Sequence, residues 1–531
     1  MKVFTLSFSL CFLLFACGEQ ESPTSSQTDL DMTAIIDFSI EIDMTFEAGS
    51  ETNLEADMIA DVEMDRDIDV LPDPWLVEQE QLEQDGEIAL VMREQRSGDA
   101  EAGWQYLRYG NFVATGIPAE IFNILNLDFS DGNLLMREGD NANIGRSFNA
   151  FDAPNGVRVV GGITCIGCHS SYLEGKLIVG LGNTFSDYTQ DQNSALIPLI
   201  DNIVNTQFGL DSLEAEAYLE FKRGSARVAP FVVAPFRGLN PAFRIEEAAA
   251  SMRDPFTFEW LDEPSFEVPM GGYTSDVPPW WNVKKKAALY YNGMGRGDFA
   301  KMIMQTSVVA IANIEQATQI HSNFDDLLAW IYQLEPPSYP NEIDLEAKNR
   351  GQMVFEANCT HCHGTYNEDP NLETYPNLLV SLEVIGTDPY YASYPNQSPE
   401  LSRWLNQGWY AQSNAEGEDR LQAYPLLGYV APPLDGIWAS APYLHNGSVP
   451  NLKSLLNSRL RPDRWQRDFD SSRYDFEQMG WPYTVPNEDE QIGDPTVYDT
   501  QIEGYSKQGH LFADHLGDVE RNDLLEYLKS L

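Results

Sequence analysis

Two short stretches stand out in this chain, Cys165-Ile166-Gly167-Cys168-His169 and Cys359-Thr360-His361-Cys362-His363. Both have the pattern C-x-x-C-H, which is the attachment sequence for c-type haem. Two thiols three residues apart lie about one helical turn apart, so both can reach the vinyl groups of one porphyrin. The histidine that follows then projects its imidazole toward the iron from the proximal side.

The two stretches therefore predict two covalently bound haem c groups. The predicted attachment residues are Cys165, Cys168, Cys359 and Cys362, and the predicted proximal iron ligands are His169 and His363. Three alternatives compete with haem. A thioredoxin-like pair needs neither a following histidine nor a second copy, and a zinc site built from the four cysteines leaves both histidines without a role. A chance match is expected in roughly one such chain in a thousand.

Composition limits the possible functions. The chain has 531 residues, and its 33 Lys and Arg face 82 Asp and Glu, so the formal net charge is −49. Nucleic acid is excluded as an expected partner, because phosphate neutralisation requires clustered basic side chains. A hydrophobic content of 43% predicts folded domains rather than disorder throughout. Six cysteines are too few for a disulfide framework at this length.

The N-terminus has the features of an export signal. Residues 1–16 contain Lys2 and an apolar run that is too short to span a bilayer, and Leu14-Phe15-Ala16-Cys17 resembles a bacterial lipobox. We therefore expect a lipoprotein signal peptide over 1–16, with Cys17 as the lipidated mature N-terminus. Gly18 favours an outer-membrane location on the periplasmic or cell-surface side. Ordinary cleavage nearby, which would give a soluble exported protein, is the alternative.

The remaining chain is predicted to be mainly α-helical, with two cytochrome c-like haem domains, long irregular loops and a few short strands. Residues 17–73 are rich in Asp and Glu and form an expected disordered linker. An N-terminal haem c domain is expected over 74–338 and a C-terminal cytochrome c domain over 339–531, with prolines near 336–340 at the boundary. Helical patterns occur over 287–303 and 324–334.

Two helices are expected to frame the second stretch. Asp344 can cap a helix that runs into Cys359, and an apolar stripe after Asp518 indicates a terminal helix. A cytochrome c domain packs its first and last helices together beside the haem. His361, at a variable position of the second stretch, is predicted to face away from the iron.

Five longer segments carry a family resemblance. They are 103–107, 163–183, 279–285, 431–448 and Gly509-His510-Leu511-Phe512. The segment 431–448 ends in Ala441-Pro442-Tyr443-Leu444-His445-Asn446-Gly447-Ser448. Through them the chain resembles the dihaem cytochrome c peroxidase superfamily, and within it the dihaem rubber oxygenase branch of exported bacterial proteins. The resemblance implies a reactive haem held by His169 and an electron-handling haem held by His363.

The resemblance also implies the sixth ligand of the second iron. His510 matches the Gly-His-x-Phe segment, His445 is the runner-up, and His515 is a more distant third. The far side of the first haem is less defined, because Met294 and His321 are conceivable ligands there. A surface or capping role is the favoured interpretation of His321.

The segment around Trp280 and Trp281 is the other candidate for a haem pocket. These rings and the basic run 284–286 could wall the pocket and pair with propionates, or could form a buried aromatic core with a solvated basic flank.

Two functions follow from these expectations. The first is an exported oxidoreductase whose first haem acts on peroxide or dioxygen while the second handles electrons. The alternative is a pure electron-transfer dihaem cytochrome with no substrate of its own, in which the acidic surface steers a basic redox partner protein. A lipid anchor would make the membrane a partner in either case.

Overall fold

The computed structural model of this chain describes residues 74–125, 133–162, 164–191, 193–271, 273–412, 420–487 and 493–531. The expected signal peptide, the lipidation site Cys17 and the acidic linker lie outside the described residues. In the part of the chain that is described, no helix is long and apolar enough to cross a membrane.

Helices make up more of the described chain than strands do. The α-helices are α1 (Pro74–Asp85), α2 (Ala100–Tyr109), α3 (Ala119–Ile124), α4 (Cys165–Cys168), α5 (Asn193–Phe208), α6 (Leu213–Val228), α7 (Ala242–Ala250), α8 (Phe299–Ile303), α9 (Ile314–His321), α10 (Phe324–Ile331), α11 (Leu345–Asn358), α12 (Thr360–His363), α13 (Leu382–Ile385), α14 (Tyr390–Gln397), α15 (Glu400–Asn406), α16 (Leu452–Leu455) and α17 (Asp518–Leu528). Most are short, which leaves long loops between them.

Thirteen short strands form five small antiparallel sheets within the described ranges. They are β1 (Glu87–Ala89), β2 (Ile117–Pro118), β3 (Asn149–Asp152), β4 (Arg158–Gly161), β5 (Ser170–Leu173), β6 (Lys176–Val179), β7 (Gly295–Arg296), β8 (Leu378–Ser381), β9 (Gln422–Ala423), β10 (Gly428–Val430), β11 (Arg464–Arg467), β12 (Tyr483–Thr484) and β13 (Val497–Asp499). The sheet orders are β1-β8-β10, β12-β11-β13, β2-β4-β3, β5-β6 and β7-β9.

Helices α11 and α17 pack against each other as the sequence predicts. The Asp344 carboxylate caps α11 by accepting hydrogen bonds from the backbone N–H groups of Glu346 and Ala347. Gly351 gives the close approach, because a Cβ built there would lie 1.9 Å from the carbonyl oxygen of Asp523 on α17. Arg350 adds a bidentate ion pair to the same Asp523 carboxylate, at 2.7 and 2.8 Å.

The two halves of the chain share sheets and cores. Strand β8 pairs with β1 through Glu87 and Val380, and β7 pairs with β9 through Gly295 and Ala423. The larger buried cluster combines residues from 107–331 with residues from 391–505, and the cluster beside the second stretch includes Leu173 and Trp281. The domain boundary at 338 remains a prediction, and each of the two buried clusters contains residues from both sides of it.

The helical pattern over 287–303 is wrong for most of its length. Only Phe299–Ile303 is helical there. Three glycines lie at 293, 295 and 297, and those at 293 and 297 adopt the left-handed φ values of +66° and +77° that helices exclude. An added Cβ at Gly297 would lie 2.0 Å from the carbonyl oxygen of Arg420, so this loop passes too close to its neighbour for any other residue.

Candidate functional site

The second cysteine stretch opens onto an apolar cavity. Helix α11 ends at Asn358, and the short helix α12 places Cys359, Cys362 and His363 along one wall of a cavity of about 330 Å³. A cavity of this size lies at the lower end of the range that holds small-molecule ligands, roughly 300–1,000 Å³. Its other walls are mostly apolar and include Phe355, Leu452, Leu456, Leu516, Leu524 and Leu528. Helices α11 and α17 thus bring their buried faces to the same cavity as the thiols.

A backbone carbonyl orients the imidazole of His363. Its Nδ1 lies 2.8 Å from the carbonyl oxygen of Pro432, which can only accept, so Nδ1 carries the proton and Nε2 is left free. Burial lowers the pKa of His363, and the Pro432 carbonyl partly opposes this. A neutral imidazole whose other nitrogen donates to a carbonyl is the form that ligates metals in proteins.

His510 faces His363 across the cavity. The two ring centres are 6.3 Å apart, with 56° between the ring planes. This separation leaves room for one metal ion between the two rings, because a metal–imidazole bond is about 2.0–2.1 Å long. Burial lowers the pKa of His510 to about 3, with smaller effects from His363 and Arg461, so this ring is also neutral.

The loop that carries His510 is held by several backbone contacts. Gly509 has a φ of +77° and His510 a φ of +47°, and the backbone N–H of His510 donates to the carbonyl of Ile385 at 2.8 Å. The guanidinium of Arg461 donates to the carbonyls of Lys507, Gly509 and His510 at 2.8, 2.7 and 3.2 Å. The imidazole is therefore positioned by a fixed backbone, while its buried Nδ1 has no hydrogen-bond partner.

The two other candidate ligands are engaged elsewhere. His445 lines the cavity, but it stacks on Tyr429 with ring centres 4.1 Å apart, and its Nε2 lies 3.1 Å from the tyrosine hydroxyl. That hydroxyl donates its single proton to the carbonyl of Asp388 at 2.6 Å, so Nε2 of His445 is the donor to the hydroxyl oxygen. His515 is exposed, and its Nε2 contacts Asn358 at 3.1 Å.

The variable histidine of the second stretch points toward solvent. The side chain of His361 is 69% exposed, and its Nε2 lies 2.8 Å from the carboxylate of Glu87 on β1. This contact fastens strand β1 to the edge of the cavity.

The first cysteine stretch forms the single turn α4 and ends at His169. The hairpin of β5 and β6 follows it and returns the chain to the turn, where Gly180 donates to the carbonyl of His169 and Asn183 donates to that of Cys168, both at 2.8 Å. The His169 imidazole stacks on Trp280, with ring centres 4.7 Å apart and 20° between the planes. Burial lowers the pKa of His169 to about 3, opposed by the backbone of Pro278 and reinforced by Lys286.

The partly buried cysteines lack the lowered pKa of a reactive redox pair. Burial raises the pKa of Cys165 to about 12 and that of Cys359 to about 11, and it also raises the pKa of Cys362. Reactive thioredoxin-type cysteines require a lowered pKa. Across the described ranges, no three His, Cys, Asp or Glu side chains converge on a common point as a metal site. Neither the thioredoxin nor the zinc alternative is supported.

Residues 278–286 separate the two stretches. Trp280 packs on His169, whereas Pro278, Pro279, Asn282 and Lys286 line the cavity that holds His363 and His510. Trp281 is buried and donates from its indole N–H to the carbonyl of Asp435 at 2.8 Å. This segment is therefore a wall shared by both candidate sites.

Met294 and His321, the conceivable ligands for the first iron, are occupied by other contacts. Met294 is buried, and the hydroxyl of Ser402 donates to its sulfur at 3.7 Å. Of the two roles expected for His321, surface or capping, the surface role is wrong, because the ring is buried and its Nε2 lies 3.3 Å from the guanidinium of Arg96. Arg96 also pairs with two carboxylates, and this network gives the ring a position in the core.

The residues of the cavity fit a c-type haem. They comprise two thiols spaced for thioether bonds, a neutral imidazole with a fixed tautomer, a second imidazole opposite it, and apolar walls. At the first stretch the thiols and an imidazole are also together, and the buried Nδ1 of His169 has no hydrogen-bond partner.

Comparisons with known proteins support a cytochrome c-like region. A family model described as RoxA-like, cytochrome c-like, matches residues 428–466, which contain Pro432, His445 and Arg461. The match implies covalently bound haem c as a cofactor.

Two curated proteins of Sinorhizobium fredii are similar to the chain. Uncharacterized protein y4iM is 28% identical over 308 residues, which are 50% of this chain and 66% of that protein. Uncharacterized protein y4iJ is 27% identical over 261 residues, which are 37% of this chain and 41% of that protein. The chain thus spans about two thirds and two fifths of these relatives.

Several residues that shape the cavity carry no signal in the sequence. Pro432 acts through its backbone carbonyl, and Arg461 acts through hydrogen bonds to carbonyls that are distant in the sequence. Tyr429 stacks on His445, which follows 16 residues later. The only available signal is the segment 431–448, which marks the region without assigning the contacts.

Proposed function

We propose that this chain is an exported dihaem c-type cytochrome that acts as an oxidoreductase. In this proposal His169 holds a reactive haem attached to Cys165 and Cys168, and His363 holds an electron-handling haem attached to Cys359 and Cys362. The single observation that carries the proposal is the pair of neutral imidazoles, His363 and His510, whose ring centres face each other at 6.3 Å across the cavity beside the second cysteine pair. Two imidazoles held on either side of one haem would suit electron handling, because they would leave no position for a substrate.

The side chains and carbonyls of the protein prepare both sites for the cofactor. When bound, haem iron supplies the redox chemistry toward peroxide or dioxygen. The Pro432 carbonyl fixes the proton of His363 on Nδ1, and burial keeps His169, His363 and His510 neutral. The apolar walls limit the access of water, which helps to set the redox potential of a bound haem.

A reactive role for the first haem is supported by the contacts of the alternative ligands. Ser402 engages Met294, and Arg96 engages His321, so each already has a partner in the core. A haem held by His169 without either residue would keep a coordination position for peroxide or dioxygen. The alternative, a pure electron-transfer cytochrome, requires a second protein ligand at that haem.

Spectroscopy of the matured protein tests the proposal. We expect a pyridine haemochrome assay to return two haems per chain, and electron paramagnetic resonance to show one low-spin and one high-spin ferric haem. Cyanide or peroxide should change only the high-spin signal. One haem per chain would contradict the dihaem assignment, and two low-spin haems without a response to cyanide or peroxide would favour the pure electron-transfer function.

The ligand assignment has a matched pair of variants. In His510→Ala the low-spin signal should convert to high-spin, because an imidazole opposite His363 is lost. His515→Ala removes a histidine five residues away that is exposed and contacts Asn358, so its spectrum should equal that of the unaltered protein. Survival of the low-spin signal in His510→Ala would assign that position to another residue, with His445 as the first candidate.

Export and anchoring belong to the same proposal. Cytochromes of this type receive their haem outside the cytoplasm, where dedicated machinery handles the thiols. We propose a lipid anchor at Cys17 in the outer membrane and either a basic redox protein or a small oxidant as partner. Cys17→Ser should release the protein into the soluble periplasmic fraction, whereas continued membrane association would contradict a lipid anchor.

A further inference from the structure

The basic run Lys284-Lys285-Lys286 is divided between two environments. Lys284 Nζ lies 2.5 Å from the carboxylate of Glu335, and Lys285 Nζ lies 2.7 Å from the carboxylates of both Glu373 and Asp435. These two ammonium groups are therefore neutralised by neighbouring acids. Lys286 instead lines the cavity that holds His363 and His510.

Lys286 has no counter-charge among the described residues. Burial alone lowers its pKa, to about 8, and no carboxylate contributes an opposing effect. Among the described residues that line the cavity, it is the only Lys or Arg. Lys286 is only partly exposed and faces mostly apolar walls. An ammonium in such a place is costly without a counter-charge, so it favours the binding of an anion there.

Two polar neighbours in the same wall also have unused oxygens. The residues Asn282 and Asp276 are only 4% and 7% exposed. The Oδ1 atom of each is buried and has no hydrogen-bond partner. Burial raises the pKa of Asp276 well above its ordinary value, so this acid is neutral and does not serve as the counter-ion. An ammonium has three donors, which suffice for one anion and for an unused oxygen.

We infer that Lys286 binds a carboxylate inside this cavity, namely a propionate of the porphyrin attached to Cys359 and Cys362. The inference rests on the proposed haem and identifies the residue that holds its acidic edge. Lys286 is then a positioning residue, because it neutralises the propionate and does not touch the iron. The uncharged walls of the cavity provide no other cation for that carboxylate within the described residues.

Midpoint potentials of the low-spin haem in full-length matured variants test this inference. We expect Lys286→Gln to lower the potential, because removing a positive charge near the iron favours its oxidised form. The unpaired propionate should also titrate at higher pH, so the potential of this variant should fall with pH between about pH 5 and pH 7, whereas that of the unaltered protein stays nearly constant there. Lys286→Arg keeps the charge and should behave as the unaltered protein.

Lys284→Gln is the matched control. It removes the same charge at a position two residues from Lys286, where the ammonium pairs with Glu335. Equal potentials and equal pH profiles in Lys286→Gln and Lys284→Gln would overturn the inference. If Lys286→Gln fails to acquire haem while Lys286→Arg acquires it, maturation requires the positive charge, which supports the inference. If both Lys286 variants fail while Lys284→Gln matures normally, the role of Lys286 is steric, which contradicts the inference.

Two further measurements separate the possible causes of failure. A free carboxylate bound by Lys286 would make the potential of the unaltered protein depend on sodium acetate compared with sodium chloride at equal ionic strength, which a covalently held propionate does not. A haemochrome assay on the same samples shows whether haem is present at all. Two haems with an unresponsive Lys286 would refute this inference alone, and a chain without haem would refute the proposed function.

Discussion

Replacing Gly509 with alanine should detach His510 from its position in the cavity. A Cβ at Gly509 would lie 2.2 Å from the backbone nitrogen of Thr387 and 2.3 Å from the carbonyl carbon of Gly386. Neither atom can rotate away, because both belong to the backbone. The φ of +77° adds a second cost, since an alanine in the left-handed region loses about 1–2 kcal/mol.

The clash sets the size of the effect. Overpacking typically costs about 1–3 kcal/mol, so the native loop should lose roughly 2–5 kcal/mol in total. Gly139→Ala is the control, because Gly139 has a φ of +61° and open space around its Cβ position, and it should lose only the conformational part. The difference between the two variants, about 1–3 kcal/mol, corresponds to a roughly 5- to 150-fold lower population of the native loop conformation.

Two assays follow this perturbation. Thermal unfolding should show a larger loss in Gly509→Ala than in Gly139→Ala, and the ferric spectrum of Gly509→Ala alone should gain high-spin haem as His510 leaves. The reasoning is refuted if both variants lose the same stability and if Gly509→Ala keeps the full low-spin signal.

Two other predictions concern the contact between α11 and α17. Gly351→Ala should lower the free energy of unfolding by up to about 2 kcal/mol, because a clash of about 1–3 kcal/mol with the Asp523 carbonyl opposes a gain of roughly 1 kcal/mol in helix propensity. Chemical denaturation measures this loss. The control is Met353→Ala, whose side chain on the same helix is 61% exposed, and its stability should stay within about 0.5 kcal/mol of the unaltered protein. The hydrogen bond from Arg350 lowers the pKa of Asp523, so its stabilisation is present above the unfolded value of about 3.9 and is lost as pH falls through the folded pKa. Asp523→Asn should therefore lose less stability than the unaltered protein between about pH 5 and pH 3, and equal losses would contradict the ion pair.

Local patterns in the sequence predict the elements that depend on local chemistry. The Asp344 cap and the apolar stripe after Asp518 identify α11 and α17 because capping and helical periodicity involve residues only a few positions apart. The pattern over 287–303 fails because apolar periodicity does not register the left-handed glycines at 293 and 297. Periodicity indicates which face of a helix is buried. The backbone conformation at these glycines is instead set by close contact with a loop more than 100 residues away in the sequence.

The candidate site also has one part that the sequence predicts and another that it does not. The cysteine and histidine positions follow from fixed spacing, and the structure places His363 beside its cysteines and His510 opposite. The burial of His321 and the separation of Lys286 from Lys284 depend on distant partners, namely Arg96 and Glu335, which no local pattern reveals. Long-range electrostatic pairing is therefore the part of the site that sequence reasoning cannot supply.

The shared sheets have a consequence for dissection of the protein. Strand β1 supplies an edge partner for β8, and Trp281 fills the cluster beside α11 and α17. A fragment that starts at residue 339 would bare the backbone of β8 and leave a void where the indole packs, so it should aggregate or be degraded before thioether formation finishes. Under the proposed function, a single-haem variant is therefore better made by replacing one cysteine pair in the whole polypeptide than by cutting the chain in two.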